Sequence, residues 1–425
     1  MAFFIELLFL FYRKNELGIY LSPVALSGAG LFMCIYPYFI LKNQGSETTQ
    51  LFLETNNDYF SAKPKTQYYL LGFFLMLSLV FGLWLNFYIN KFPIDVNQSD
   101  IIPFIEEVFL KRWDKGIPVY AEYNGFGYGS FHPNYMPFHW LAFLMSYYAS
   151  FDHRWILFVI YLLAVAIYMQ VLLRNFSSLK RLMVLLFLPF LLVFSILESQ
   201  GKDAVHTIEI MIMGYYLLLG LSLFSKHFIV QAVGIFFPLL SRYSFVFWLP
   251  IHFFSWITTQ PKRFLGVAVW GIILLLVFVG PFVFQTPDMF VGFNSNYLVA
   301  ALREWGGQSW QKLGDEPFQL FHGIGVAAWY YKLYPGGLED KINALNLSLM
   351  TVSIFTMILL VVFTAKIKKV LPANLFSLLS LKFMLTIFYA FVTIPYLYLN
   401  WVPLVISIII LSRLAETPKL NETKA

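Results

Sequence analysis

Apolar runs of about twenty residues, many of them bounded by lysine or arginine, recur along the whole chain. The clearest cover 67–90, 154–174, 181–198, 206–225, 263–285, 346–366, 376–394 and 397–412, and each approaches the ~20 residues that carry a helix across a bilayer. A run at 20–41 adds one more span. Segment 1–12 is too short to cross and is expected to lie along the interface. The block 227–258 is apolar but interrupted by Pro238, Arg242 and Pro250, so it reads as two short helices meeting near Ser241-Arg242-Tyr243. The pattern predicts an all-α polytopic membrane protein with about 10–11 transmembrane helices. Its parts are an N-terminal interfacial and transmembrane segment with a linker (1–66), a core (67–285) containing the loop 91–153, a second long loop (286–345), and C-terminal helices with a tail (346–425).

Composition agrees: 59% of residues are hydrophobic and only 12% are charged, against roughly a quarter charged in soluble domains. The net charge of +6 is no signal for nucleic acid, because the basic residues cluster at the ends of apolar runs. Linkers at Lys63/Lys65, Arg174/Lys180/Arg181, Lys226, Lys262/Arg263 and Lys366/Lys368/Lys369 fall on one side when the spans alternate. The tail, with Arg413, Lys419 and Lys424, joins them. That side is expected to be cytoplasmic. The outer side then receives 91–153, a turn at 199–203 and the loop 286–345. Alternation takes 137–150 as a helix on the outer surface rather than a span. Cys34 is the only cysteine, which excludes a disulfide framework within the chain. The opening MAFFIELLFLFY lacks the basic n-region and cleavage site of a removable signal peptide.

Candidate chemistry gathers on the outer side. After Asp95 and Asp100, the residues Ile101, Ile102, Ile105, Val108 and Phe109 recur at helical spacing, which predicts an amphipathic helix lying on the membrane. Ser99 or Asp100 suits its N-cap, and Asp114-Lys115-Gly116 suits its end. On spacing alone, Asp100 caps a surface helix. Arg242 lies in the middle of an apolar block, where ionisable residues usually face the bundle interior or a hydrated cavity. A helix break there also presents N–H groups to an anion. A third cluster holds Glu198, Lys202, Asp203, His206 and Glu209. His206 and Glu209, three apart, are expected to share a helical face. With Glu198 or Asp203 they offer imidazole and carboxylate to a divalent cation, though no recognised ligand spacing requires a metal. A polar turn with one satisfied His–Glu pair accounts for the same residues. In the second loop, Arg303, Glu304 and Trp305 suit a sugar or acceptor pocket, or equally an interfacial aromatic belt.

The order of these elements carries a resemblance. A span, then Asp100, a helix, Gly116-Ile117-Pro118-Val119-Tyr120, and His132-Pro133-Asn134-Tyr135-Met136-Pro137 resembles the first outer loop of GT-C glycosyltransferases. Asp152-His153-Arg154-Trp155 follows at the start of the next span. The plan is similar to that of protein mannosyltransferases and lipid-linked aminoarabinose transferases, and to GT-C-like membrane proteins of Bacteroidetes-type bacteria. The likeness is best in the first half of the chain. His132-Pro133-Asn134 stands where some members carry His-Pro-Pro.

The resemblance implies a multi-pass enzyme of the bacterial inner membrane. It would transfer a hexosyl or pentosyl group from a polyprenyl-phosphate donor to a glycan, lipid or protein acceptor on the periplasmic side. Asp100 would be the general base, with Asp95 in reserve. Arg242, Tyr243 and Lys202 would hold the donor phosphate. His132, Tyr135, Glu198, Asp203, His206, Glu209, Arg303, Glu304 and Trp305 would contact substrate. A single outer base rather than a paired acid and nucleophile implies inversion at the anomeric carbon. Two other readings use the same residues: a transporter or flippase for a lipid-linked or amphipathic solute, and a non-catalytic lipid-binding protein of the same architecture.

Overall fold

The computed structural model describes residues 1–11, 16–44, 62–126, 130–287, 293–307, 312–313 and 316–415. It is an all-α multi-pass membrane protein, with only two two-residue hairpins among the described residues. The major helices are α1 (Ala2–Phe11), α2 (Glu16–Gln44), α3 (Pro64–Lys91), α4 (Arg154–Asn175), α5 (Leu179–His206), α6 (Glu209–Ser222) and α7 (Phe228–Leu239). They continue as α8 (Leu249–Thr259), α9 (Pro261–Phe278), α10 (Phe293–Trp305), α11 (Leu338–Ile367), α12 (Ala373–Ala390) and α13 (Trp401–Ala415). Among the described residues, eight helical segments are long and apolar enough to cross a bilayer, while α6 and α7 are apolar but shorter.

Burial sorts these helices. The most hydrophobic stretches of α9 and α11 are only 11% buried, so they face lipid, whereas that of the last span is 89% buried. Helix α13 packs against α1, α2, α5, α6 and α12 and forms the axis of the bundle. α6 is apolar on every side and buried on nearly every side, as expected of a helix enclosed by others. Without a hydrophobic force between helices in lipid, close approach over small residues supplies the packing. A Cβ on Gly220 of α6 would stand 2.3 Å from the Ile409 side chain of α13.

The interrupted block folds as expected from its prolines. α7 and α8 form a hairpin whose two ends lie beside Lys226 and Lys262, and Arg242 occupies its tip. Twelve residues of α7 rise ~18 Å, more than half the thickness of a ~30 Å hydrocarbon layer.

Three expectations are corrected. Residues 199–203 form no turn: α5 runs unbroken through them to His206. Segment 1–12 does not lie along an interface. Helix α1 packs against α2 and α13, and its Glu6 is 1% exposed. Glu6 accepts a bond from Lys382 at 2.5 Å and another from Ser407 at 2.7 Å, so a matched partner brings this acid inside the bundle. Finally, 137–150 is two short helices, Pro137–Trp140 and Phe143–Tyr148. Trp140 and Phe143 are fully buried, so this segment packs into protein as well as bounding it.

The loop 91–153 is a small subdomain. Residues 101–114 are helical throughout, with a wide π-type stretch at Ile105–Leu110. Their apolar face does not lie on lipid, because Phe109 packs on Trp140, Tyr120 and Tyr135 at 5.2–6.0 Å between rings. The Tyr120 hydroxyl donates to the Tyr135 carbonyl at 2.7 Å and accepts from Trp140 Nε1 at 3.1 Å. Gly116 ends the helix in the left-handed region (φ +67°), with Ile117 N–H on Arg112 O and Gly116 N–H on Trp113 O. That pairing is a Schellman cap. The Gly-x-Pro-x-Tyr motif therefore carries a cap and a hydrogen-bond node that hold the loop together. Gly116→Ala should cost about 1–2 kcal/mol, because a Cβ disfavours this backbone region. Its thermal unfolding in detergent should move down accordingly, and an unchanged midpoint would refute the cap.

Candidate functional site

Arg242 sits at the tip of the α7–α8 hairpin, where the chain turns after Pro238. Its backbone N–H bonds the Pro238 carbonyl at 2.7 Å. The guanidinium forms an ion pair with Glu209, the first residue of α6. Glu209 is fully buried, whereas 18% of the Arg242 side chain remains accessible. That difference matters, since an arginine with an open edge keeps donors for a second anion.

Tyrosine hydroxyls surround the pair. Arg242 bonds Tyr389 of α12. The Tyr389 hydroxyl donates to Ser244 Oγ at 3.0 Å, and Tyr216 of α6 shares that oxygen at 2.6 Å. Tyr398, Tyr297 and Tyr243 lie within electrostatic reach of the same guanidinium. Five separated stretches thus converge here: α6, the hairpin tip, α10, α12 and the turn before α13. The other Glu209 oxygen, Oε2, has no hydrogen-bond partner among the described residues.

The first loop reaches this cluster. Phe138 N–H bonds Leu240 O at 2.8 Å, and His139 Nδ1 meets Ser241 O at 3.1 Å. A carbonyl only accepts, so Nδ1 carries the proton. Burial first, and then the Arg242 charge, push the His139 imidazole down to about 3, against the pull of the Ser241 carbonyl. It is therefore neutral at physiological pH. Tyr135 lies against His139 with ring centres 4.1 Å apart, which brings this sequence candidate to the site.

Asp95, Lys202 and His206 form an adjoining group, and Asp100 follows Ser99 beside it. Ser99 Oγ donates to the His206 carbonyl at 3.1 Å, and Asp95 and Lys202 both act electrostatically on the His206 ring. Asp95 Oδ1 accepts from the backbone and side chain of Asn97 at 2.9 and 3.0 Å, closing its own turn. Asp100 is half-buried. Its side chain makes no cap bond to the helix that follows. Only Ser99 Oγ approaches Ile101 N–H, at 3.4 Å, so capping does not account for this aspartate. His206 and Glu209 are three residues apart, at most about 10–11 Å along an extended chain. The loop carboxylates are therefore tethered close to the Arg242 cluster.

The shared helical face expected of His206 and Glu209 is not formed. Thr207 is extended (φ −119°, ψ 174°), so His206 ends α5 while Glu209 begins α6. The two side chains take different surroundings, and Nε2 of His206 is buried without a partner among the described residues. Among those residues no group of three His, Cys, Asp or Glu converges as metal ligands. The side chains of Glu198 and Asp203 lie outside the described residues.

Other candidates have structural partners. His132 Nδ1 meets Tyr120 O at 3.2 Å within the loop. Glu304 accepts Gln319 N–H at 3.1 Å, and Trp305 Nε1 donates to Thr393 O at 2.9 Å. Both are buried and pin α10 to the bundle, and Arg303 is half-exposed beside them. Arg154 chelates Asp152 through Nε and Nη2 at 2.9 and 2.6 Å and reaches Phe92 O at 2.5 Å. Burial alone would raise the Asp152 carboxyl, but the Arg154 bonds outweigh it and hold it below the usual range.

Sequence reasoning missed Tyr216, Ser244, Tyr297, Tyr389, Tyr398 and His139. In a chain with 26 tyrosines, nothing local separates a site tyrosine from an interfacial one. In comparisons with known proteins, no family model matches the chain, and no curated protein or solved structure matches it significantly.

Proposed function

We propose that the protein is a membrane glycosyltransferase that uses a lipid-phosphate-linked sugar. The observation that carries this reading is the partly accessible arginine at membrane depth, ringed by hydroxyls and tethered to a loop bearing two carboxylates. Such a site suits a reaction in which an anionic leaving group departs near the bilayer while a hydroxyl is deprotonated above it. The acceptor oxygen bonds to the anomeric carbon as the carbon–oxygen bond to phosphate breaks. The hydroxyl proton passes to Asp100, and the lipid phosphate leaves with the bonding pair towards Arg242. Tyr389 and Glu209 hold the guanidinium in place, and Tyr243 and Tyr398 offer further contacts. With one displacement and no carboxylate nucleophile, the product is inverted. The test is transfer of a labelled sugar from a polyprenyl-phosphate donor by purified protein in liposomes, with the anomeric configuration read by NMR. Retention, or no transfer to any sugar, lipid or peptide acceptor, would count against it.

A second reading draws on the pair Glu6–Lys382, 1% and 1% exposed. Buried charges within spans often mark transport pathways, and this pair and Arg242–Glu209 place two of them in one bundle. A transporter or flippase would move a labelled amphipathic solute across liposomes without covalent change, which distinguishes it from the enzyme.

A further inference from the structure

A cavity of about 240 Å³ opens between α2, α11 and α12. Cys34, Tyr38 and Phe39 line it from α2, Leu360 and Ile367 from α11, and Phe376 from α12. Ile367, Leu371 and Phe376 line it near the helix ends that carry lysines, and Cys34 and Phe383 extend it towards the middle of their helices. Its wall is apolar apart from the polar atoms of Cys34, Tyr38 and Ser380. Water gains little in such a space, since a buried water needs two to four polar partners. An empty void would forfeit dispersion contacts along its lining. The surrounding bilayer supplies a chain that fits.

Among the described residues, the mouth carries charge of one sign. Lys42 follows Tyr38 by four residues and so shares its helical face, and Lys366 and Lys369 flank Ile367 and Leu371. All three lysines are exposed. Lys368 turns the other way, to Ser255 O at 2.6 Å and Thr258 Oγ1 at 2.7 Å. The segments 31–44 and 355–385, which form the cavity and its rim, contain no aspartate or glutamate. A groove for a hydrocarbon chain whose rim is cationic among the described residues matches one occupant in chemistry.

We propose that this cavity holds an acyl chain of an anionic phospholipid, with the headgroup at Lys42, Lys366 and Lys369. The site faces the leaflet opposite the Asp100 loop, so its occupant is distinct from any donor used at Arg242. It does not rest on the glycosyltransferase reading.

Native mass spectrometry of the full chain, titrated with phosphatidylglycerol or phosphatidylcholine, tests it. The native protein is expected to retain phosphatidylglycerol preferentially. The triple variant Lys42→Gln, Lys366→Gln, Lys369→Gln should lose that preference by about tenfold or more, from the attraction each basic residue contributes near an anionic headgroup. Leu360→Trp, which grows a half-buried side chain into the cavity, should lower retention of both lipids while leaving the lysines in place. Equal retention of the two lipids by the native protein would overturn the proposal as ordinary bilayer contact. A preference untouched by either variant would overturn it as well.

Discussion

Arg242→Met alone is expected to destabilise the protein by about 3–5 kcal/mol, the usual cost of leaving one partner of a buried pair uncompensated. Glu209 has no exposure and no water to turn to when the guanidinium is removed. Its Oε2 already lacks a partner among the described residues, so the variant strands a carboxylate whose second oxygen is unpaired too. The double variant Glu209→Met, Arg242→Met should recover most of that loss, because an apolar pair of similar size often replaces a buried ion pair at little cost. Reversible unfolding of the four proteins of this cycle in detergent measures the coupling. A single variant as stable as the native protein, or a coupling near zero, would show that the pair contributes nothing. Under the proposed function the double variant stays inactive although stable, which separates the structural role of the pair from its phosphate contact.

Asp100→Asn is expected to lower sugar transfer by about 10²–10⁴-fold, the usual contribution of a positioned general base. Asparagine keeps the shape of the side chain but cannot take the acceptor proton. If Asp100 is the base, the loss should fall on turnover, with donor binding nearly unchanged. Asp95→Asn is the comparison. One of its oxygens accepts both Asn97 bonds, and an asparagine amide oxygen still accepts them, so the turn should hold and less activity should be lost. Full turnover by Asp100→Asn would sink the base assignment whatever happens to the Asp95 variant.

Much of the architecture was legible along the chain, for identifiable reasons. Long apolar runs leave few alternatives in lipid, where each backbone group must be satisfied within a helix or a closed barrel. The block 227–258 broke between Pro238, which lies in the last turn of α7, and Pro250, which opens α8, and Gly116 ended its helix because only the left-handed region completes the cap. The turn at 199–203 failed because polar residues were read as a boundary. Helix α5, with 28 residues, simply continues through them, being longer than the ~20 residues a crossing requires. Glu6 escaped notice because one acid in an apolar decapeptide gives no clue to a lysine 376 residues away.

Local pattern by itself determined the helical class, the membrane setting, the broken hairpin and the conspicuous arginine at its tip. Those features depend on transfer of side chains and peptide groups from water to lipid, and that energy is written residue by residue. Tertiary structure decided who stands beside Arg242: Glu209 from the next helix, Tyr389 and Tyr398 from the far end of the chain, and His139 and Tyr135 from the first loop. It also set His206 and Glu209 on different helices, through the extended Thr207 between them. Ion pairs and hydrogen bonds act over a few ångströms between residues far apart in the chain, so their partners appear only when the helices have packed.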